Sequence, residues 1–590
     1  MVAAAVGFGT GMATTATFFG ANSYAKNAEN PFAEPKTNIC YKFDRQDKLM
    51  TLSEINEMVE EGQIIVTFKG GVYDITDFTG HPGGYGRLQM AAGNDLQAFW
   101  TVYTQHNRGH VVELLQRYRI GYLSDKEAVI SRERTVFDNP YTNDPPNYPE
   151  LLTNTRYPYN AEGRLRTLGD KWITPIGQHF VRNHGLVPDI DPAEWELTVT
   201  GVGVDETLFS YEDLKTKFEK VDVATVIQCN GNRREDYHFV KEGQPAFGPP
   251  HWVAGAIGNA VWSGVRLRDV LRASGMDVDG ISLNKIAAPS EAQHIGLLAA
   301  DHDECGNQYC CSFPFEKGVD PYGDVILAYE MNGEPIPRLH GFPVRAIVPG
   351  HAGARNCKFL EKVTVTDNPC LDAGNWKQYA VHAMDVPPYK LQEFELHKKE
   401  LKRDPAVQEM PVQSLITNPG AGDNVCFDKE KGTIKVKGIA WGGGGEGVNR
   451  VDVSLDGGKN FTRAEMLEPE IKQRRKSNWS WVFFEKELKL PENVQEELKK
   501  GKKVDIDLCS KALNTSWNVQ PESAESNINP HGCCINHWYR VPATVDPTIS
   551  CSQPSEDGGF PNKPSGGKFQ TPFKNLDGCG DEPCLFAECK

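Results

Sequence analysis

Apolar and polar residues alternate through GQIIVTFKGGVYDITDF, residues 62–78, on both sides of a Lys-Gly-Gly turn, which predicts a strand, a tight turn and a second strand. In HVVELLQRYRIGYL the period changes, and Val111, Leu114, Leu115 and Tyr118 recur on one helical face. Together these patterns predict a small α+β unit over residues 39–125. Much further along, GTIKVKGIAW alternates again, and VDVSLDGGKNF reads as strand, Asp-Gly-Gly turn and strand. Strand patterns continue to about Val545, so residues 401–546 are expected to form an Ig-like β-sandwich. Between the two, residues 155–400 mix short strands and glycine-rich turns with few long amphipathic helices, which suggests a larger α+β domain. The prolines and polar residues of RTVFDNPYTNDPPNYPE predict a flexible linker over residues 126–154. The expected fold class is therefore multidomain α+β with a terminal sandwich.

A chain of 590 residues needs several hydrophobic cores, in keeping with that division. Its net charge of -16 argues against nucleic acid as a partner and suits a basic protein partner better. Residues 1–23 carry no charged side chain, so residues 1–38 read as a targeting or anchoring segment, the only stretch offering membrane attachment. Residues 547–590 are rich in Pro, Gly, Ser and Lys, with Cys579, Cys584 and Cys589 among them, and read as a disordered tail. The fifteen cysteines are otherwise scattered, apart from the vicinal pairs Cys310-Cys311 and Cys533-Cys534.

In DFTGHPGGYGRL, His81 stands in a Pro-Gly-Gly turn whose missing side chains would let a flat ligand approach the backbone. His106 follows a segment in which Leu96, Phe99, Trp100 and Tyr103 could line an apolar slot. A histidine in a turn is by itself ordinary surface. The combination of HPGG with the later HNRGHV resembles cytochrome b5. That resemblance implies that His81 and His106 ligate the iron of haem b, with His110 as the alternative second ligand. Two strong axial ligands leave the iron no open position, so such a haem passes single electrons.

The stretch VIQCNGNRRED sets Cys229 beside two arginines, where a thiol is held ready as a nucleophile or a metal ligand. With QHFVRNHG upstream and PRLHGFPVRAIVPGHAGARNCKFL and AWGGGGEGVNR downstream, it resembles the sulfite oxidase family of molybdenum enzymes from about Pro175 to Val541. The resemblance implies that Cys229 is the single protein ligand of molybdenum. It implies further that Phe180, Val181, Arg182, Asn183, His184, Asp301, His340, Arg345, Asn356, Cys357 and Lys358 contact its molybdopterin cofactor. Arg182 and Arg234 match the substrate arginines, and Trp252 and Tyr379 the active-site aromatics. Where the family carries a third substrate arginine this chain has His531, which is shorter and mostly neutral near pH 7, so anion affinity is expected to be weaker. An insertion around HFVKEGQPAFGPP also displaces a pocket lysine.

As implied by family, sulfite is oxidised to sulfate, and electrons pass one at a time through haem b to cytochrome c. The same resemblance implies a homodimer joined by the sandwich and a place in the mitochondrial intermembrane space. Two readings compete: a nitrate reductase, which shares the molybdenum fold but carries its b5 module after the sandwich, and a b5 electron carrier on a non-catalytic scaffold.

Overall fold

The computed structural model describes residues 48–549, apart from 79–80, 82–84, 104–105, 107–108, 136–138, 240–249, 284–288, 290, 303–307, 371–378, 382–403, 468–476 and 530. The expected anchoring segment, nearly all of the cysteine-rich tail and most of the HFVKEGQPAFGPP insertion lie outside the described residues.

The first unit is a four-stranded sheet in the order Lys48–Met50, Arg119–Leu123, Gly71–Asp74, Ile65–Phe68. The hairpin turn at Lys69 and Gly70 has φ of 50° and 82°, the positive pair that a two-residue loop needs to match the strand twist. Thr51 opens the helix Leu52–Glu60 with a capping box to Glu54. The helices Tyr85–Ala91, Leu96–Val102 and Gly109–Gln116 supply Leu88, Trp100 and Leu115 to a core shared with Val66 and Phe68 of the sheet.

Two five-stranded sheets make the second unit. In one, Lys220–Gln228 pairs antiparallel with Ile257–Arg266 along its whole length, ending one residue before Cys229. In the other, Leu360–Thr366 lies parallel to Glu196–Gly201. Leu197 and Val363 from one sheet and Val265 and Leu327 from the other belong to a single core. A three-stranded sheet of Leu152–Thr155, Asn160–Glu162 and Val181–Arg182 adjoins them.

The sandwich packs a four-stranded sheet on a five-stranded one around Val436, Ile439, Trp481, Phe484, Val453, Leu508 and Val541. It is bolted to the second unit by a reciprocal pair: the Trp172 indole donates to the Trp481 carbonyl at 2.9 Å, and the Trp481 indole to the Trp172 carbonyl at 3.0 Å.

The segment 126–154, expected to be a loose linker, is largely ordered. Ser124 caps a helix at Asp125–Arg134, and the buried Ser131 hydroxyl meets the Thr67 hydroxyl at 2.8 Å, so this helix belongs to the first unit. Tyr141 is only 4% exposed. Proline and polar composition marks where regular structure stops, but it does not say whether the chain packs. Of the vicinal pair Cys310-Cys311, Cys310 is joined to Cys370 by a disulfide, while Cys311 on the next strand position is buried in the core.

Candidate functional site

In the first unit His81 and His106 face one another with Nε2 atoms 3.3 Å apart, their rings within 8° of parallel. The His106 Nδ1–H donates to the Tyr103 carbonyl at 2.9 Å, which leaves the Nε2 lone pair pointing at His81. Burial pushes the His106 pKa down, favouring the neutral form that ligates metal. Trp100 stacks on His106 at 5.7 Å and Phe78 meets His81 edge-on at 6.4 Å. An iron between them needs about 4 Å, from two metal–imidazole bonds of about 2 Å, so a small parting of the rings admits it. The residues therefore fit a haem. His110 lies in the helix Gly109–Gln116.

A cavity of about 50 Å³ opens beside Cys229 in the second unit, lined by Phe180, Arg182, His184, Asp301, His340, Arg345, Asn356, Lys358 and Tyr379 among others. These residues span two hundred positions, and backbone contacts hold them together. The Cys229 N–H donates to the Ala256 carbonyl at 2.9 Å, fixing the turn in which Asn232 Oδ1 accepts from the Ala256 N–H at 3.0 Å. Arg345 donates to the His340 and Asn356 carbonyls at 3.0 and 3.2 Å. Arg182 donates to Asn160 Oδ1 at 3.1 Å, and Lys358 to Asn183 Oδ1 and, at 3.2 Å, to the Leu339 carbonyl.

Charge in this cavity is crowded. Burial, aided by the neighbouring Arg345 and Arg182 against the pull of Asp301, brings the Lys358 ammonium down to about 7, and burial brings Arg345 down to about 10. Burial also holds His184 and His340 well below the ordinary imidazole value. The Tyr379 hydroxyl is pushed up to about 12 by burial, opposed by Arg182 and Arg234, and it donates to His184 Nε2 at 2.6 Å. Arg182, Arg345 and Lys358 against the single carboxylate of Asp301 make a cavity that favours a phosphate-bearing anion, and Cys229 offers one soft sulfur donor at its wall. The donor set fits a molybdopterin.

Several expected residues stand elsewhere. Val181 points into the core around Tyr159 and Leu339, and the Cys357 thiol lies in the main core, where its hydrogen bond to Cys311 and then burial push its pKa well up. Asn183 does not line the cavity but positions Lys358. Trp252 is 0% exposed and braces Phe180 from behind, ring to ring at 6.5 Å and 84°. The two adjacent arginines part company. Arg233, at φ 68°, turns into the sandwich, donating to Gln413 Oε1 at 3.0 Å and the His537 carbonyl at 2.7 Å. Arg234 folds over Gly231, where a Cβ would come within 2.6 Å of its Nη2. On its other side, Gly532 approaches so closely that a Cβ there would sit 2.8 Å from Arg234 Cγ, so the loop that carries His531 abuts this arginine.

Asn230, Tyr309, Leu339, Gly353 and Ala354 complete the lining and were not singled out from the sequence. Asn230 was legible as the residue after Cys229. Tyr309, which stacks on His184 at 5.0 Å and donates to the Ala354 carbonyl at 2.7 Å, carried no signal of its own.

Comparison with known proteins bears on both sites. Residues 184–376 match the oxidoreductase molybdopterin binding domain, 404–546 the Mo-co oxidoreductase dimerisation domain, and 51–124 the cytochrome b5-like heme/steroid binding domain. Human mitochondrial sulfite oxidase is 36% identical over 511 residues, covering 86% of this chain and 86% of the human protein. The chain belongs to the sulfite oxidase family. Among sulfite oxidases, the chicken protein is 37% identical over 484 residues, covering 81% of this chain and 96% of its own. A barley nitrate reductase is 34% identical over 407 residues, but these cover only 42% of it. The sulfane dehydrogenase SoxCD of Paracoccus pantotrophus shares the fold, with a TM-score of 0.51 over 70% of this chain and 96% of that one, at 22% identity.

Proposed function

We propose that this protein oxidises sulfite to sulfate, with Cys229 as the protein ligand of molybdenum and Phe180, Arg182, His184, Asp301, His340, Arg345, Asn356 and Lys358 around its pterin cofactor. The observation that carries this reading is the meeting, in one cavity, of a single soft thiol with three cations and a protonated tyrosine, on a chain that also pairs His81 with His106. Sulfite and water yield sulfate, two protons and two electrons; the molybdenum centre, when bound, supplies the oxygen and takes up the electron pair. Arg182 and Arg234 draw the oxyanion in, and their planar donors orient it. Tyr379, kept protonated, donates its hydroxyl to His184 and presents a neutral oxygen beside the two guanidinium groups. Lys358 and Arg345 neutralise the anionic end of the cofactor. His81 and His106 would hold the haem between them, and a haem so held would supply one-electron transfer.

His531 is the third member of the anion clamp in this reading, mostly neutral where the family carries a permanent cation. His531→Arg should lower KM for sulfite about tenfold, roughly 1.4 kcal/mol of binding, with kcat little changed; an unchanged KM would remove His531 from the clamp. The final acceptor is a basic cytochrome c, in keeping with the net charge of -16. The sandwich, residues 401–546, joins two copies; the haem unit occupies residues 39–125 together with the helix Asp125–Arg134 packed onto it, and the cofactor unit 155–400. The human relative is named as mitochondrial, and the disulfide at Cys310 suits an oxidising compartment such as the intermembrane space. Residues 1–38 are the segment that would target or anchor the chain.

The test is steady-state reduction of cytochrome c by sulfite with the purified full chain, beside its molybdenum and haem content. Nitrate reduction is the second reading, favoured by the histidine at 531 and the likeness to the barley enzyme. Turnover of nitrate with a reduced dye, and none of sulfite, would reverse the order; haem without molybdenum would defeat both.

A further inference from the structure

The chain between the haem unit and the cofactor unit does not merely connect them. Asn139 caps the short turn Pro140–Asn143, its Oδ1 accepting from the Tyr141 N–H at 3.0 Å, and so fixes where the buried Tyr141 ring points. That ring meets Tyr103 of the haem unit edge-on at 6.3 Å and 84°, and stacks on Tyr157 of the cofactor unit at 5.0 Å and 24°. With Val102, these three rings form a small apolar core of their own, built from three separate parts of the chain.

Each end of this core runs into one of the two sites. Tyr103 lies edge-on to His106 at 6.4 Å, and its carbonyl is the group that orients the His106 imidazole. On the other side, Asn160 Nδ2 donates to the Pro158 carbonyl at 2.9 Å while Asn160 Oδ1 accepts from Arg182 of the cavity. A second strand of contacts starts just past the turn: Asp144 accepts from the Val187 N–H at 3.0 Å, and the Tyr148 ring stacks on His340 of the cavity wall at 5.7 Å.

We propose that Tyr141 is the centre of an intramolecular clasp that docks the haem unit onto the cofactor unit with its His106 side turned inward, and that it is a positioning residue for the one-electron step between the two sites. The step itself moves no atom: one electron leaves the reduced cofactor and one ferric haem becomes ferrous. Tyr141 sets the separation and orientation of the partners and is not itself oxidised. The proposal rests on the sulfite-oxidising reading above.

The full-length protein carrying Tyr141→Ala or Tyr141→Phe tests it with three measurements. The rate at which sulfite reduces the haem, followed by its absorbance in stopped flow, should fall at least tenfold in Tyr141→Ala and stay near wild type in Tyr141→Phe, which keeps the ring. Sulfite turnover with ferricyanide, a small one-electron oxidant that does not need the haem, should be unchanged in both. The radius of gyration from small-angle X-ray scattering should rise in Tyr141→Ala alone, a readout independent of activity. Haem reduction as fast as wild type in Tyr141→Ala, or an equal loss in Tyr141→Phe, would overturn the clasp. If the wild type fails to oxidise sulfite with ferricyanide, the functional reading falls instead, and scattering alone then decides the docking.

Discussion

The haem site and the molybdopterin cavity are built on opposite plans. His81 and His106 stand twenty-five residues apart within one small unit and meet directly through their Nε2 atoms. The cavity draws its lining from Phe180 to Tyr379, and almost every charged side chain in it is held by a backbone carbonyl or an amide from a distant segment. A clamp of two local ligands can be lost without disturbing its surroundings. A cavity braced from many sides cannot lose a brace without cost to the whole unit.

The sharpest way to break this contrast is to disable one site and watch the other. Cys229→Ser should lower sulfite turnover by at least about 100-fold, beyond what loss of an outer-shell partner does, with the haem spectrum intact. His106→Ala should abolish haem absorbance and cytochrome c reduction while ferricyanide-coupled turnover stays within about twofold, as independent sites require. Cross-effects in either variant would mean that the sites are not separable.

A smaller effect concerns the bracing itself. Glu162 is buried, and its carboxylate accepts from Asn154 at 2.9 Å and from the Val253, Ala254 and Gly255 N–H groups at 2.8 to 3.2 Å, holding the chain just after Trp252. Glu162→Ala strands those donors and should cost roughly 3 kcal/mol in denaturant unfolding. A loss below about 1 kcal/mol would show that the surrounding loop can re-form without it.

The smallest effect per residue is pH dependence. Burial lowers the pKa of His351 to about 3 and of His537 to about 2, so both remain neutral in the fold while the unfolded chain takes up protons below the ordinary value of 6.5. Stability from these two is complete above that value and drains away as the pH falls from 6.5 toward 3, by roughly 2 kcal/mol each at pH 5. Thermal unfolding between pH 7.5 and 5 should show a falling Tm, shallower in His351→Gln; a flat profile would remove these imidazoles from the balance.

Legibility in the sequence followed the same division. The pairing of His81 with His106 was readable because turn, aromatic segment and histidines are neighbours in the chain. Cys229 and Arg234 were readable from one contiguous loop. The different fate of Arg233 was not, because Gln413 and His537, which hold it, lie in another domain. Trp252 and Cys357 were placed in the right neighbourhood but face the core, since a motif fixes the position of a backbone before the direction of a side chain. Tyr141 sits among prolines and polar residues, and only the arrival of Tyr103 and Tyr157 from two other segments buries it. Disulfide partnership was equally hidden, with Cys310 and Cys370 sixty residues apart.

Gly532 allows the sandwich to press its backbone against Arg234, with no room for even a methyl group between them. On the proposed reading, in which Arg234 binds the oxyanion, the sandwich that matches the dimerisation domain thus also helps to shape the place where substrate is held. A change in that one loop would then alter which oxyanion is accepted without touching the residues around the cofactor, and a chimaera that exchanged sandwiches should exchange oxyanion preference as well.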